Sequence, residues 1–215
     1  MSKQLRIDFV SDVSCPWCAI GLNSLYKALA SVGGELSVDL HFQPFELNPD
    51  MGPEGQDIVE HITQKYGATA EQQAQSRETI RQRGADVGFV FDMERRGRIY
   101  NTFDAHRLLS WAEGEGRQRA LKEALFTAYF TRCEDPSNHE VLLRAVEQAG
   151  LERETAERIL KSDEFADEVR AREQFFQQAG IRSVPAIIIN QKHLISGGQP
   201  PEVFERALRE IAGQK

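Results

Sequence analysis

At 215 residues the chain can bury a substantial core and suits one domain with an insertion, or two small ones. Hydrophobic residues make up 40% and charged residues 27%, an ordinary globular composition. The 33 acidic and 26 basic residues leave a net charge of −7, so no basic footprint argues for nucleic acid or an anionic membrane, and no apolar run approaches bilayer-spanning length.

Residues 5–10 alternate apolar and polar side chains and predict a strand. Asp8 interrupts this first stretch, which therefore lacks the apolar region and small-residue cleavage site of a secretory signal. The expected compartment is the cytoplasm. Residues 19–30 carry Ile20, Leu22, Leu25, Tyr26 and Leu29 at helical spacing, and Gly33 and Gly34 close that helix. A second alternating run at 36–42 predicts another strand, ending before Pro44. From 47 to about 51 the chain becomes loop-like, with Asn48, Pro49, Gly52, Pro53 and Gly55.

A series of helices follows, predicted at 57–66, 70–86, 101–113, 118–131, 138–149, 152–160 and 163–179, with a short extended interruption at 88–92. Asp135, Pro136, Ser137 and Gly150 mark breaks between them. Strand character returns at 183–190, a polar turn leads to a hairpin partner at 193–195, and Pro200 and Pro201 precede a last amphipathic helix at 202–212. The order is β-α-β, a long helical insert, then β-β-α. The insert is too long and too periodic to be a structureless loop.

Where the first strand meets the first helix stands S-D-V-S-C-P-W-C-A-I-G, residues 11–21. A structural zinc site needs four ligands, of which one C-x-x-C supplies two, and Cys133 and the five histidines show no pairing at zinc-ligand spacing. A purely structural disulfide suits neither a reducing cytoplasm nor this position. The redox reading has a mechanism. A helix N-terminus presents unpaired N–H groups and the positive end of the macrodipole, which favour a thiolate. Cys15, just before the helix with Pro16 at its first position, is then the attacking sulfur. Cys18, one turn further in and more buried, resolves the mixed disulfide. Trp17 brings no charge, so the redox direction stays open.

The combination S-D-x-x-C-P-W-C-x-I-G, N-T-F-D-A-H-R-L at 101–108, E-A-L-F-x-A-Y-F-T at 123–131, V-P-A at 184–186 and S-G-G-Q-P-P-E-V-F at 196–204 resembles the FrnE-like branch of the DsbA family. The resemblance runs in matching order along essentially the whole chain. It implies an α/β, thioredoxin-like fold with a large all-helical insertion: a discontinuous thioredoxin-like domain from 1–48 and 176–215, and a helical domain from 49–175. It also implies thiol–disulfide exchange through Cys15 and Cys18, with Pro185 as a cis-proline. A cis bond there would expose the Val184 backbone to an extended substrate and keep a metal from bridging the thiols. Val184, Pro16 and Trp17 are therefore expected to bind substrate. Asn101 and His106 belong to a stretch that in this family faces the cleft; read from the residues alone, Asn101 is an N-cap and His106 an interior or surface histidine.

The implied substrates are disulfide- or thiol-bearing proteins or small molecules. No metal or bound cofactor is expected, glutathione enters only as a co-substrate, and a homodimer is compatible with the sequence. Relatives that isomerise 2-hydroxychromene-2-carboxylate, and kappa-class glutathione transferases, typically carry serine at the first cysteine's place; Cys15 favours redox chemistry over that alternative. A binding module or chaperone using the cleft would need neither cysteine. Cys133, in a polar acidic turn without a partner, reads as a bystander. Asp12 either tunes proton transfer or ends the strand. His61, His139 and His193 carry no pattern, and Phe42, Pro44 and Phe45 read as core and wall.

Overall fold

The computed structural model describes residues 3–213. Strand β1 (Lys3–Ser11) leads to helix α1 (Pro16–Val32) and strand β2 (Leu36–Pro44), which pairs parallel with β1 in the register Lys3 to Leu36. Gly33, at φ 57°, ends α1 and returns its N–H to Leu29 O, as a C-terminal glycine does. Between β2 and the closing hairpin lie a two-residue strand β3 (Gln56–Asp57), α2 (Ile58–Tyr66), α3 (Ala70–Asp86), a two-residue strand β4 (Arg98–Ile99), α4 (Phe103–Gly114), α5 (Gln118–Phe126), α6 (His139–Gln148), α7 (Arg153–Leu160) and α8 (Ala166–Gln178). Strands β5 (Ala186–Ile189) and β6 (His193–Ser196) form the hairpin, and α9 (Pro201–Gly213) ends the fold. The main sheet runs β2-β1-β5-β6, with β5 antiparallel to both β1 and β6.

β1 is a central strand, which explains why its apolar character exceeds simple alternation. Leu5, Ile7 and Phe9 point into a core shared with Leu22 and Leu25 of α1 and with Phe204 and Leu208 of α9. Val10 on the opposite face meets Phe176 of α8. A separate core (Leu108, Leu121, Leu142, Val146, Ile159) holds α4 to α7 together. The helical layer is fastened to the sheet through Gln118, whose side-chain oxygen accepts from Phe42 N at 2.9 Å while its Nε2 donates to Phe42 O at 2.9 Å. These bonds satisfy the outer backbone groups of the edge strand β2.

Three local features differ from the sequence expectations. The helix expected at 118–131 leaves α-geometry after Phe126 and finishes as a π turn, Thr127–Thr131, where Arg132 N donates to Thr127 O and Thr127 Oγ1 donates back to Glu123 O. The wider turn accompanies the burial of Phe126, Tyr129 and Phe130. Residues 88–92 pair in no strand; Gly88 turns at φ 81° and Asp92 N bonds to Phe130 O. The β3–β4 ladder went unpredicted because two residues per strand carry no periodicity.

Candidate active site

Cys15 is the N-cap of α1, with extended dihedrals (φ −91°, ψ 113°). Its carbonyl accepts from Cys18 N at 3.1 Å and Ala19 N at 3.4 Å, closing the first turn, and Pro16 at the first position has no N–H to leave unpaired. Both thiols are free. Cys15 is 4% exposed and Cys18 fully buried. Burial, reinforced by the neighbouring Cys15 sulfur, pushes the Cys18 thiol well above the usual cysteine range, while the Lys122 ammonium pulls it back.

The second wall comes from the loop before β5. The Val184–Pro185 peptide is cis, and the Cys15 thiol points at Val184 O, 3.7 Å away. Pro185 O accepts from Gly197 N at 2.8 Å, which ties the loop to the end of β6. Two glycines allow the close approach. A Cβ on Gly198 would stand 2.8 Å from Trp17 O, and one on Gly21 would stand 3.2 Å from Pro185 Cγ.

Beneath the pair lie ionisable groups that almost never see water. Asp12, 1% exposed, accepts from Ser14 N, Ser14 Oγ and Leu47 N. Burial alone would raise its carboxyl; His106 and the converging amides of Leu47 and Ser14 outweigh that and hold it down to about 2. His106 Nε2 stands 3.6 Å from Asp12 Oδ1, too long for a hydrogen bond. Lys122 on α5 is fully buried, its Nζ 4.9 Å from the Phe126 ring. Burial brings it down to about 8 against the pull of Cys18, Asp12 and Cys15.

Cys15 opens on a groove of about 910 Å³ between the loops around the cysteines and helices α2 and α3. Of the residues expected from sequence, Cys15, Pro16, Trp17 and Val184 line it together, with Cys18 and Pro185 buried behind them. Asn101 and His106 do not line it. Asn101 Oδ1 accepts from Phe103 N at the start of α4, and His106, 2% exposed, faces a small internal space beside Lys122. His61 and Phe45 are on the groove wall, while Cys133 lies elsewhere, its thiol donating to Asp92 O. Burial and the Asp92 charge push that thiol up.

Sequence reasoning missed Lys122, Glu46 and the groove cations Lys65, Arg77, Arg96 and Arg182. Lys122 did leave a signal: it occupies an apolar stripe with Leu125, Phe126 and Tyr129, where a solvated lysine would be out of place. Among the described residues no group of three or more His, Cys, Asp or Glu side chains is arranged to hold a metal ion. No helix there is long and apolar enough to cross a membrane.

The family model described as a DSBA-like thioredoxin domain matches residues 6–209. No curated protein matches the chain. Among solved structures, a probable DsbA oxidoreductase from Streptomyces coelicolor is 32% identical, with a TM-score of 0.90 over 98% of this chain and 91% of that one. The cytosolic disulfide reductase DsbM from Pseudomonas aeruginosa, solved with GSH, shares the fold at 16% identity and a TM-score of 0.63, over 96% of this chain and 98% of its own. A 2-hydroxychromene-2-carboxylate isomerase shares it at 13% identity and a TM-score of 0.70, over 96% of this chain and 95% of its own.

Proposed function

Because the chain belongs to the DSBA-like thioredoxin domain family, we propose that it is a thiol–disulfide oxidoreductase working through Cys15 and Cys18. The observation that carries this reading is the position of Cys15: at the N-terminus of α1, facing Val184 O, at the mouth of a groove with Cys18 one turn behind it.

The Cys15 thiolate attacks one sulfur of a substrate disulfide R–S–S–R′, that bond breaks, and R′S⁻ leaves and takes up a proton. Cys18 then gives up its proton and attacks the Cys15 sulfur, expelling RS⁻, which is protonated in turn. In sum, two electrons pass from the dithiol to the substrate, and the protons of Cys15 and Cys18 end on two product thiols. A glutathione-class thiol restores the dithiol and is itself oxidised to its disulfide. Run backwards, the same steps oxidise a substrate dithiol.

Each surrounding group has a role in this scheme. Half-buried on the groove lining, Pro16, Trp17 and Val184 contact the substrate segment. Lys122 favours the thiolate of Cys18 that the second step requires, which burial otherwise opposes. The compartment we assign is the cytoplasm, where thiol pools keep such a pair reduced. A glutathione-dependent isomerase is the weaker reading, since isomerisation has no use for a resolving thiol at position 18.

Reduction of insulin disulfides by wild type and Cys15→Ser tests the proposal. Loss of activity in the variant is expected; full activity surviving in it would overturn the reading.

A further inference from the structure

The surface of this acidic protein neutralises most of its arginines. Arg153 reaches Glu140, Glu147 and Glu157; Arg172 reaches Glu113 and Glu168; Arg132 and Arg144 share Glu134. The groove at Cys15 departs from that pattern. Its lining carries Lys65, Arg77, Arg96 and Arg182 against a single carboxylate, Glu46. None of the four cations has a carboxylate partner among the described residues. Glu46 adds little opposing charge, because it already faces Arg170, and burial beside Glu173 holds it up to about 7.

Arg96 provides a second, independent observation. It is only 7% exposed, its guanidinium carbon lies 4.8 Å from the Tyr129 ring and 5.0 Å from the Phe130 ring, and its Nε has no hydrogen-bond partner among the described residues. A guanidinium held against two rings with donor capacity unspent is preorganised for an oxyanion, and ordering it costs little further entropy. Arg182 stands two positions before Val184, and half-buried Arg77 lies on α3, so cations flank the path of a segment passing Cys15. Lys65 adds field more than donors, since two of its three N–H groups are already spent on Leu47 O and Asn48 Oδ1.

We propose that this groove selects carboxylate-bearing disulfides, with Arg77, Arg96 and Arg182 receiving the carboxylates while Cys15 attacks the sulfur. The inference rests on the oxidoreductase reading and names its substrate class. The carboxylates take no part in the electron balance. They raise encounter rate and ground-state binding, so the preference appears in kcat/KM, mainly through KM, and weakens with salt.

Three peptides of equal length, each with one disulfide flanked by Glu, Gln or Lys, are compared as substrates at low and high ionic strength, alongside oxidised glutathione. The expected order is Glu above Gln above Lys, with about a tenfold Glu-to-Gln ratio in kcat/KM at low salt that shrinks at high salt. In Arg77→Gln/Arg182→Gln the ratio should fall toward one. Faster turnover of oxidised glutathione than of the Glu peptide would identify the source as a small molecule; the reverse would identify an acidic peptide segment. Equal kcat/KM for the three peptides overturns the substrate class and leaves the redox reading standing. No turnover of any of them overturns both.

Discussion

The sulfur of Cys15 lies 3.7 Å from the carbonyl oxygen of Val184, although 169 positions separate them in sequence. The contact joins two independently supported pieces, the N-terminus of α1 and the loop before β5, and the substrate path runs between them. What keeps that spacing is mostly not the contact itself. It is the backbone packing behind it, at Gly21, Gly198 and Pro185, and the buried charges beneath it.

Gly198→Ala tests the packing. The new methyl would meet the Trp17 carbonyl at 2.8 Å, which backbone must move to relieve, at a cost of about 1–3 kcal/mol. Because Trp17 lies between the cysteines, disulfide exchange should slow as well. Gly114→Ala, in open space at the end of α4, is the control and should leave both stability and rate near wild type. Denaturant titrations and insulin reduction on both variants decide it; a neutral Gly198→Ala would remove the steric argument.

Lys122→Met should stabilise the fold while impairing resolution. Burial lowers the folded-state value of Lys122 to about 8 from 10.5. Below about 8 the charge is therefore carried in both states and the folded protein bears the full desolvation cost. Between about 8 and 10.5 the unfolded chain binds the extra proton, so this group makes stability rise with pH there. The variant should be roughly 1–3 kcal/mol more stable at pH 7 and lack that rise. With the ammonium gone, Cys18 moves further up and the mixed disulfide on Cys15 should persist longer. A drop in stability at pH 7 would count against this account of Lys122.

Asp12→Asn addresses acid stability. The folded carboxyl sits at about 2 against 3.8 in the unfolded chain, so its contribution is fully present above about 4 and is lost as pH falls toward 2. That difference corresponds to roughly 2 kcal/mol. Unfolding free energies from pH 6 to pH 2 should fall less steeply in the variant than in wild type, and parallel curves would contradict the assignment.

The chemistry-bearing turn was legible because it is local. A strand, a cysteine at an N-cap, proline at the first helical position and a second cysteine one turn on all fall in one unbroken stretch, residues 3–18. Val184–Pro185 needed the family resemblance, since a proline before a strand is unremarkable by itself. The groove was not legible: Lys65, Arg77, Arg96 and Arg182 come from separate segments, and only folding shows that they share one wall without carboxylate partners among the described residues. The stretch beginning at Asn101 was expected at the cleft, yet α4 enters the interior one turn after Asn101. His106 is thereby placed next to Asp12 and Lys122 rather than on the groove lining.

Trapping the mixed disulfide tests the central claim most directly. Cys18→Ala, incubated with a disulfide-bridged substrate and analysed by intact mass under non-reducing conditions, should accumulate one substrate moiety linked to Cys15. Wild type should release it within the same interval, and Cys15→Ser should carry none. A Cys18→Ala protein that stays unmodified while wild type turns the substrate over, or an adduct found on Cys133, would contradict exchange through the Cys15–Cys18 pair.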